Sequence, residues 1–298
     1  MKFGQVEDPS TVDFKLPPTH PDTLRLLQNA KNDEAFEVYI GCAKWNKQDL
    51  KGFYPRGTKD ELTYYATQFN AIELNATFYN SPDREQVITW KNKVSKEFKF
   101  FPKLPNQISH FRRLINVKEP TLAFCDAISF FEENLGMAFL QLHDNFKPNH
   151  FDRLRDYLHD FPSGTPLAVE VRNQEWFSDK TVQDAYHLLL EKENIANVLV
   201  DTAGRRDMVH MRLTTPQAFI RYVGANHASD YARLDDWLAR IKEWRAAGLQ
   251  SLYFFVHQNV EKESPLLSAY FIEQLNKTFD MNIKVPQSAQ VDQGSLKL

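Results

Sequence analysis

Eight short runs rich in β-branched and aromatic residues recur along the chain: EVYIGC (37–42), AIELNATF (71–78), FKFFPKL (98–104), MAFLQLH (137–143), LAVEVR (167–172), NVLVDT (197–202), AFIRYVG (218–224) and LYFFVHQ (252–258). Helical patterns fill most of the gaps, and the successive strand-end residues Gly41, Glu73, Lys103, Gln141, Glu170 and Asp201 stand roughly 30 positions apart, the length of one strand-helix unit. Eight such units predict an α/β fold, a (β/α)8 TIM barrel built as a single domain, which 298 residues accommodate. The stretch from Asp201 to Arg221 is too short for a full helix with loops, so the sixth crossover is expected to be degenerate. A doubly wound open sheet is the rival, but no glycine-rich phosphate fingerprint supports it.

The helical signals have identifiable starts. Thr58-Lys59-Asp60-Glu61 reads as a capping box ahead of Leu62, Tyr65, Ala66 and Phe69 at helical spacing. Ser81 is placed to cap and Pro82 to open a second helix carrying Val87, Trp90 and Val94. Further stripes run through Phe151, Leu154, Leu158 and Phe161, through Val182, Tyr186, Leu189 and Leu190, and through Leu234, Trp237, Leu238 and Ile241 up to Gly248; Ser264-Pro265 begins the last helix. Residues 1–36 are polar and proline-bearing and read as an N-terminal extension packed outside the main fold. Residues 37–282 form the expected domain, and residues 283–298 hold too little apolar content to bury anything and read as a flexible C-terminal tail.

Composition narrows the function classes. No apolar stretch approaches the roughly 18 residues that cross a bilayer, so a soluble protein with no membrane partner is expected. The sequence starts MKFGQVEDPS, without a basic-then-apolar leader, and Asn75-Ala76-Thr77 is read as a coincidental glycosylation pattern. Cys42 and Cys125 lie far apart with no CxxC pair, which argues against a zinc ribbon or a disulfide framework and fits a cytoplasmic location. A net charge of −3 leaves no global basic footprint for polyanions.

In a barrel the C-terminal strand ends share one mouth. Residues i and i+2 of a strand share a face, so Glu73, Asn75 and Thr77 are expected to look one way, as are Glu170 and Arg172. Lys103, Gln141, Asp201, Arg221 and His257 stand at the ends of other strands. Charge in such a place is costly unless paired, so these residues are expected to form a network, either a structural tie between strands or a site. As a site, Lys103, Arg172 and Arg221 suit a phosphate or carboxylate. Glu73, Glu170 and Asp201 are the candidate catalytic carboxylates: Glu73 and Glu170 as acid and base with pKa values pushed apart, Asp201 orienting an arginine. Trp45, Tyr79 and Trp176 follow strands and can form stacking walls. No cofactor is expected. Glu73, Glu170, Asp201 and His257 make an alternative divalent-metal ligand set, which the three nearby cations oppose. Cys42, His110 and His143 are weaker candidates, and no GxSxG, Walker or GxGxxG motif is present.

Several of these residues lie in segments that resemble the YecE-like family, domain of unknown function 72: IGCAKW followed by FYP (53–55), FNAIELNATFYNSP (69–82), FKFFPKLPNQISH (98–110), LQLHDNF (140–146) and AVEVRNQEW (168–176), with a looser match at FFVHQN. The resemblance spans about residues 37–278. It implies a TIM barrel related in shape to sugar isomerases and an apurinic-site endonuclease, but no settled reaction. The matching positions are Trp45, Glu73, Asn75, Thr77, Phe78, Tyr79, Lys103, His110, Gln141, Glu170, Arg172, Trp176, Asp201 and Arg221. LHDNF after Gln141 departs from a proline-rich turn usual there. Three functions stay open: an enzyme of hydrolase or isomerase type using carboxylates on an anionic, phosphorylated or nucleic-acid-derived substrate; a metal-dependent phosphodiesterase; and a non-catalytic binder of a small ligand or nucleic acid. The sequence is silent on oligomeric state.

Overall fold

The computed structural model describes residues 3–287. Its strands are β1 (Glu37–Cys42), β2 (Ala71–Leu74), β3 (Lys99–Pro102), β4 (Ala138–Gln141), β5 (Leu167–Glu170), β6 (Ala196–Asp201), β7 (Gln217–Gly224) and β8 (Ser251–Gln258), and every pairing between them is parallel. Six strands hydrogen-bond in the order β1-β8-β7-β6-β5-β4, while β2 and β3 form a separate pair. This overturns the expected closed (β/α)8 TIM barrel: the main-chain ladder is an open, curled six-stranded sheet with a two-stranded sheet beside it.

The ring fails to close at two seams. β1 and β2 approach so closely that a Cβ on Gly41 would stand 2.2 Å from the Ala71 carbonyl oxygen, yet no ladder joins them. Side chains substitute. Asn70 accepts from the Ile40 N–H and donates to the Val38 carbonyl, both at 2.8 Å. The Tyr65 hydroxyl accepts from the Cys42 N–H at 2.7 Å and donates to the Ala71 carbonyl at 3.1 Å. At the other seam β3 meets β4 through two isolated bridges, Phe100–Leu135 and Lys103–Phe139.

Alternation decides what fills the concave side. Phe101, Phe139, Ala168, Val198, Val200, Phe219 and Phe255 form one buried cluster. Its rings pack edge to face or tilted, with centroids 4.8 Å apart for Phe101–Phe255 and 5.5 Å for Phe139–Phe219. Two residues further along the same strands stand Lys103, Gln141, Glu170, Arg221 and His257, so a charged layer rests on an aromatic floor. Two other apolar clusters lie between the strands and the helices outside them.

The expected helices form with shifted starts. Asp60 rather than Thr58 caps Glu61–Gln68, and Asp83 rather than Ser81 caps Arg84–Lys91, each carboxylate accepting a main-chain N–H three residues on. Helices Phe151–His159, Lys180–Lys192, Ser229–Ala247 and Ser264–Phe279 follow the predicted stripes. Pro21–Ala30 and Lys118–Ser129 are helices for which no start was read from the sequence. The crossover from β6 to β7 carries the 3-10 turn Arg206–Met208 and no α-helix. The AIELNATF run is cut short: β2 stops at Leu74 and the chain turns into the short helix Ala76–Tyr79, so Asn75 and Thr77 are not strand residues. Thr77 is buried and donates its hydroxyl to the Leu74 or Lys103 carbonyl.

The N-terminal segment packs against the sheet and its helices. Leu16 and Leu27 are buried, and Gly4, at φ +69°, accepts from the Gly204 N–H at 2.8 Å where a Cβ would strike Thr202. Of the expected tail at 283–298, residues 288–298 lie outside the described residues. No helix among the described residues is long and apolar enough to cross a membrane.

Because Asn70 stands in for a ladder at the first seam, Asn70→Ala strands a main-chain donor and a main-chain acceptor. It is expected to lower the unfolding free energy by roughly 1–3 kcal/mol in urea titrations, with the m-value unchanged.

Candidate functional site

The charged layer is organised by Arg221, which reaches from β7 across the cup. Its Nε donates to Glu73 Oε2 and its Nη2 to Glu73 Oε1, both at 2.8 Å, while Nη1 donates to Glu170 Oε2 at 2.6 Å. The other carboxylate oxygen of Glu170 accepts from Arg172 Nε at 2.7 Å and Gln141 Nε2 at 2.8 Å. Glu73 also accepts from Asn75 Nδ2 at 2.7 Å, and its Oε2 lies 2.9 Å from His257 Nε2. Both carboxylates are completely buried. They are linked through one guanidinium and satisfied on each side, as buried charge requires.

This network corrects the expected acid-base split. Burial, the largest single influence, would raise both carboxyls, but Arg221 and the other donors around them together outweigh it: Glu73, beside Arg221 and His257, is held well below the usual carboxylate range, and Glu170, beside Arg221 and Arg172, is lowered to about 2. Neither is kept protonated at neutral pH. The group displaced toward neutrality is Lys103. Its Nζ donates to Gln141 Oε1 at 2.7 Å and lies 4.1 Å from the Phe78 ring centroid. Burial first, and then the neighbouring charges of Arg221 and Arg172, lower its pKa to about 7. His110, beside Phe78 and hydrogen-bonded to Ser109 Oγ at 2.9 Å, is lowered to about 4 by burial and by Lys103.

A cavity of about 670 Å³ opens above this layer. Asn75, Tyr79, Lys103, Gln141, Arg172, Arg221 and His257 all line it. Glu73 lies beneath them and faces a smaller neighbouring pocket of about 230 Å³ that also holds Trp45, and Glu170 is covered by the two arginines. Two predicted residues are not brought to the site. Asp201 points outward because Val198 and Val200 take the inward positions of β6; it binds Arg233 Nη2 at 2.8 Å, Trp237 Nε1 at 2.7 Å and Arg206. The arginines it orients are therefore not those of the cup. Trp176 is buried in the outer core, where its Nε1 donates to the Phe146 carbonyl at 2.7 Å. Cys42 is buried 3.8 Å from Ser268 Oγ, and burial pushes its thiol far above the usual range, which suits packing rather than attack.

Sequence reasoning missed the contribution of the N-terminal segment. Phe3 and Gln5 line the cavity, and the Phe3 ring lies 3.9 Å from the Arg172 guanidinium carbon, with Arg205 at 5.7 Å. The only hint was an aromatic residue in an otherwise polar stretch. The proposed metal set does not fit the arrangement. Arg221 fills the space between Glu73 and Glu170, Asp201 is turned away, and no group of three or more His, Cys, Asp or Glu side chains among the described residues is placed to hold a metal ion.

Comparison with known proteins agrees with this geometry at the level of the fold. The family model described as Protein of unknown function DUF72 matches residues 39–290. The UPF0759 protein YecE of Escherichia coli strain K12 is 26% identical over 275 residues, which cover 85% of this chain and 98% of that protein; the YecE protein of Escherichia coli O157:H7 matches equally. Among solved structures, a DUF72 family protein from Enterococcus faecalis superposes with a TM-score of 0.65 at 16% identity, covering 83% of this chain and 99% of that one. Another from Thermotoga maritima gives 0.63 at 24% identity, with 80% and 99% covered.

Two outcomes follow from the electrostatics. Arg221→Met leaves two buried carboxylates facing one another and is expected to cost roughly 3–5 kcal/mol at pH 7. The carboxylates then take up protons in the folded state, so the deficit should shrink between pH 7 and pH 5, as read by urea unfolding at each pH. For Lys103 the folded pKa is about 7, below its unfolded value near 10.5. Between those values the unfolded chain binds more protons, so wild-type stability should rise with pH across that window. That rise should be missing from Lys103→Met.

Proposed function

This chain belongs to the DUF72 family, and we propose that its cup is the active site of an enzyme that binds a small anionic substrate bearing a phosphate or carboxylate group. The observation that carries this reading is the composition of the cavity wall. Lys44, Lys103, Arg172 and Arg221 line it, against one lining carboxylate, Glu261. The carboxylates that pair with Arg172 and Arg221 are buried and do not line the cavity, so the basic groups an entering ligand meets are N–H donors, which suit a phosphate or carboxylate. Phe3 and Gln5 line the cavity, whose volume of about 670 Å³ suits a small molecule.

The catalytic assignment differs from a simple carboxylate pair. His257 faces the cavity through its place in the lining, and its Nε2 sits 2.9 Å from the ionised Glu73. A histidine backed by a buried carboxylate is a proton-transfer unit: the carboxylate orients the ring and stabilises the imidazolium that forms when a proton is taken. Glu73 thus acts through His257, and Glu170 holds Arg221, Arg172 and Gln141 in place beneath the substrate. Isomerisation and hydrolysis both need this kind of proton movement.

Inorganic phosphate is the first probe. Millimolar phosphate is expected to raise the thermal midpoint, with the shift falling as sodium chloride screens the site. Sugar phosphates and phosphorylated hydroxy acids that also raise the midpoint are then incubated in D2O and followed by proton NMR. Wild-type protein should exchange a substrate C–H with solvent, and His257→Asn should bind but exchange far more slowly. Absence of stabilisation by every anion tested sinks the reading. Stabilisation with neither C–H exchange nor a hydrolysis product in the same spectra reduces the chain to a binding protein.

A further inference from the structure

We infer that Lys103 is a nucleophilic amine that forms a Schiff base with a carbonyl group of the anionic substrate, making that substrate an aldehyde or ketone with a phosphate or carboxylate substituent. The inference rests on the anion-binding reading of the cup and goes beyond it by naming a covalent step. Its basis is the placement of one side chain.

The backbone of Lys103 is fixed from both sides. Its N–H donates to the Leu74 carbonyl at 3.2 Å, its carbonyl is within reach of the Thr77 hydroxyl at 2.7 Å, and it bridges to Phe139. The side chain crosses the aromatic floor, with Nζ 4.1 Å from the Phe78 centroid and 5.9 Å from that of Phe139. Among the described residues no carboxylate lies within 4.0 Å of Nζ, because Glu73 and Glu170 are both taken by arginines. The side-chain oxygen of Gln141 holds it at 2.7 Å, and the amide nitrogen of Gln141 is itself committed to Glu170. Surface lysines of this chain pair with carboxylates, as Lys180 does with Asp184 and Lys93 with Asp60. Lys103 has different surroundings: aromatic rings beside Nζ, the charges of Arg221 and Arg172 acting on it more strongly than those of Glu170 and Glu73, and a place in the cavity lining. Such surroundings favour the uncharged amine, which is the form that attacks a carbonyl carbon.

The step balances without any further reagent. The lone pair of Nζ forms a C–N bond to the carbonyl carbon as the carbonyl oxygen takes up a proton. Nζ releases one proton to give the neutral carbinolamine, the hydroxyl takes up a second proton and leaves as water, and Nζ gives up its remaining proton as a C=N bond replaces C=O, so the two protons lost by nitrogen balance the two gained by oxygen. Amine plus carbonyl gives imine plus water. His110 is at hand as a proton acceptor: burial, the largest cause of its lowered pKa, favours the unprotonated ring, and it lines the same cavity. The arginines below would hold the anionic substituent.

Pyridoxal 5′-phosphate, used purely as a phosphorylated aldehyde, tests this in the full-length protein. The protein is incubated with a slight excess at pH 7, reduced with borohydride, and mapped by peptide mass spectrometry. Labelling of Lys103 is expected to exceed that of surface lysines by at least roughly tenfold, because the free-amine fraction at pH 7 is about a thousandfold larger for a lysine titrating near 7 than near 10.4. The adduct should disappear in Lys103→Met, and the peptide map of the wild type stands even if that variant folds poorly. Adduct at Lys103 that phosphate competes away supports both the amine and the anion site. Adduct at Lys103 that phosphate does not affect supports the amine while removing the anion reading. Phosphate stabilisation accompanied by labelling spread evenly over surface lysines overturns the Schiff-base inference and leaves the anion site standing.

Discussion

The guanidinium of Arg221 joins the two sheets of this molecule at the site. It belongs to β7 in the six-stranded sheet, and it grips Glu73 of β2 with two parallel hydrogen bonds while a third reaches Glu170 of β5. A planar fork is the side chain suited to such a bridge, and replacing it by a single ammonium would satisfy one carboxylate at best. Without it, the β2–β3 pair would still meet the larger sheet through apolar packing, the side-chain links at Asn70 and Tyr65, the two bridges beside β4 and the contacts of Lys103 with Gln141 and of His257 with Glu73, but no charged fork would span the cup. Two negative charges would also remain buried against each other. The geometry of the cup therefore depends on one ionic contact made at its centre.

A second buried ionic network stands back to back with the first and shows what parity does. Asp201 ends β6 as Glu170 ends β5, but it occupies the other phase of the alternation. It is met by Arg233, Trp237 and Arg206 on the outer side of the sheet. Phe14 stacks at 4.3 Å on Arg233, and Phe3 at 3.9 Å on Arg172, so the N-terminal segment touches the outer network with one ring and the cup with another. Cation–π contacts of this kind gain strength when the cation is desolvated, as both arginines are. Segment 3–36 is in this way fastened to both charge networks while contributing no strand.

Much of this was legible in the sequence, and the failures have physical causes. The eight strand runs and the helices between them follow from period and length alone. The convergence of Glu73, Lys103, Gln141, Glu170, Arg221 and His257 follows from parallel strands ending on one side. Closure of the ring was not legible, since periodicity reports which residues are extended but not which edges exchange hydrogen bonds. The decisive residues were Asn70 and Tyr65, which look like ordinary loop and helix positions. A strand-end position alone puts Asp201 at the mouth, but its phase relative to Val198 and Val200 turns it to the outer side. AIELNATF carries β-forming residues throughout and so reads as strand across Asn75 and Thr77, whereas the chain turns there and the Thr77 hydroxyl bonds the Leu74 or Lys103 carbonyl. Trp176 was assigned a wall because it follows a strand, yet its indole N–H needs the Phe146 carbonyl, which lies in the core.

The properties of Lys103 follow from the contact that holds the sheets together. A buried ammonium beside two carboxylates would ordinarily be paired and fully charged, with its pKa raised. Here Arg221 and Arg172 have claimed those carboxylates first, so the lysine meets their neutralised pairs, its neighbours' positive charge and the edge of an aromatic floor. Attraction from Glu170 and Glu73 persists but is outweighed by burial and by the two guanidiniums, which leaves the amine titrating at about 7. Structural stability and chemical reactivity are thus set by the same pairing. Any change that frees a carboxylate for Lys103 should return it to the charged state and take away its nucleophilic character at neutral pH, even with every atom of the lysine in place.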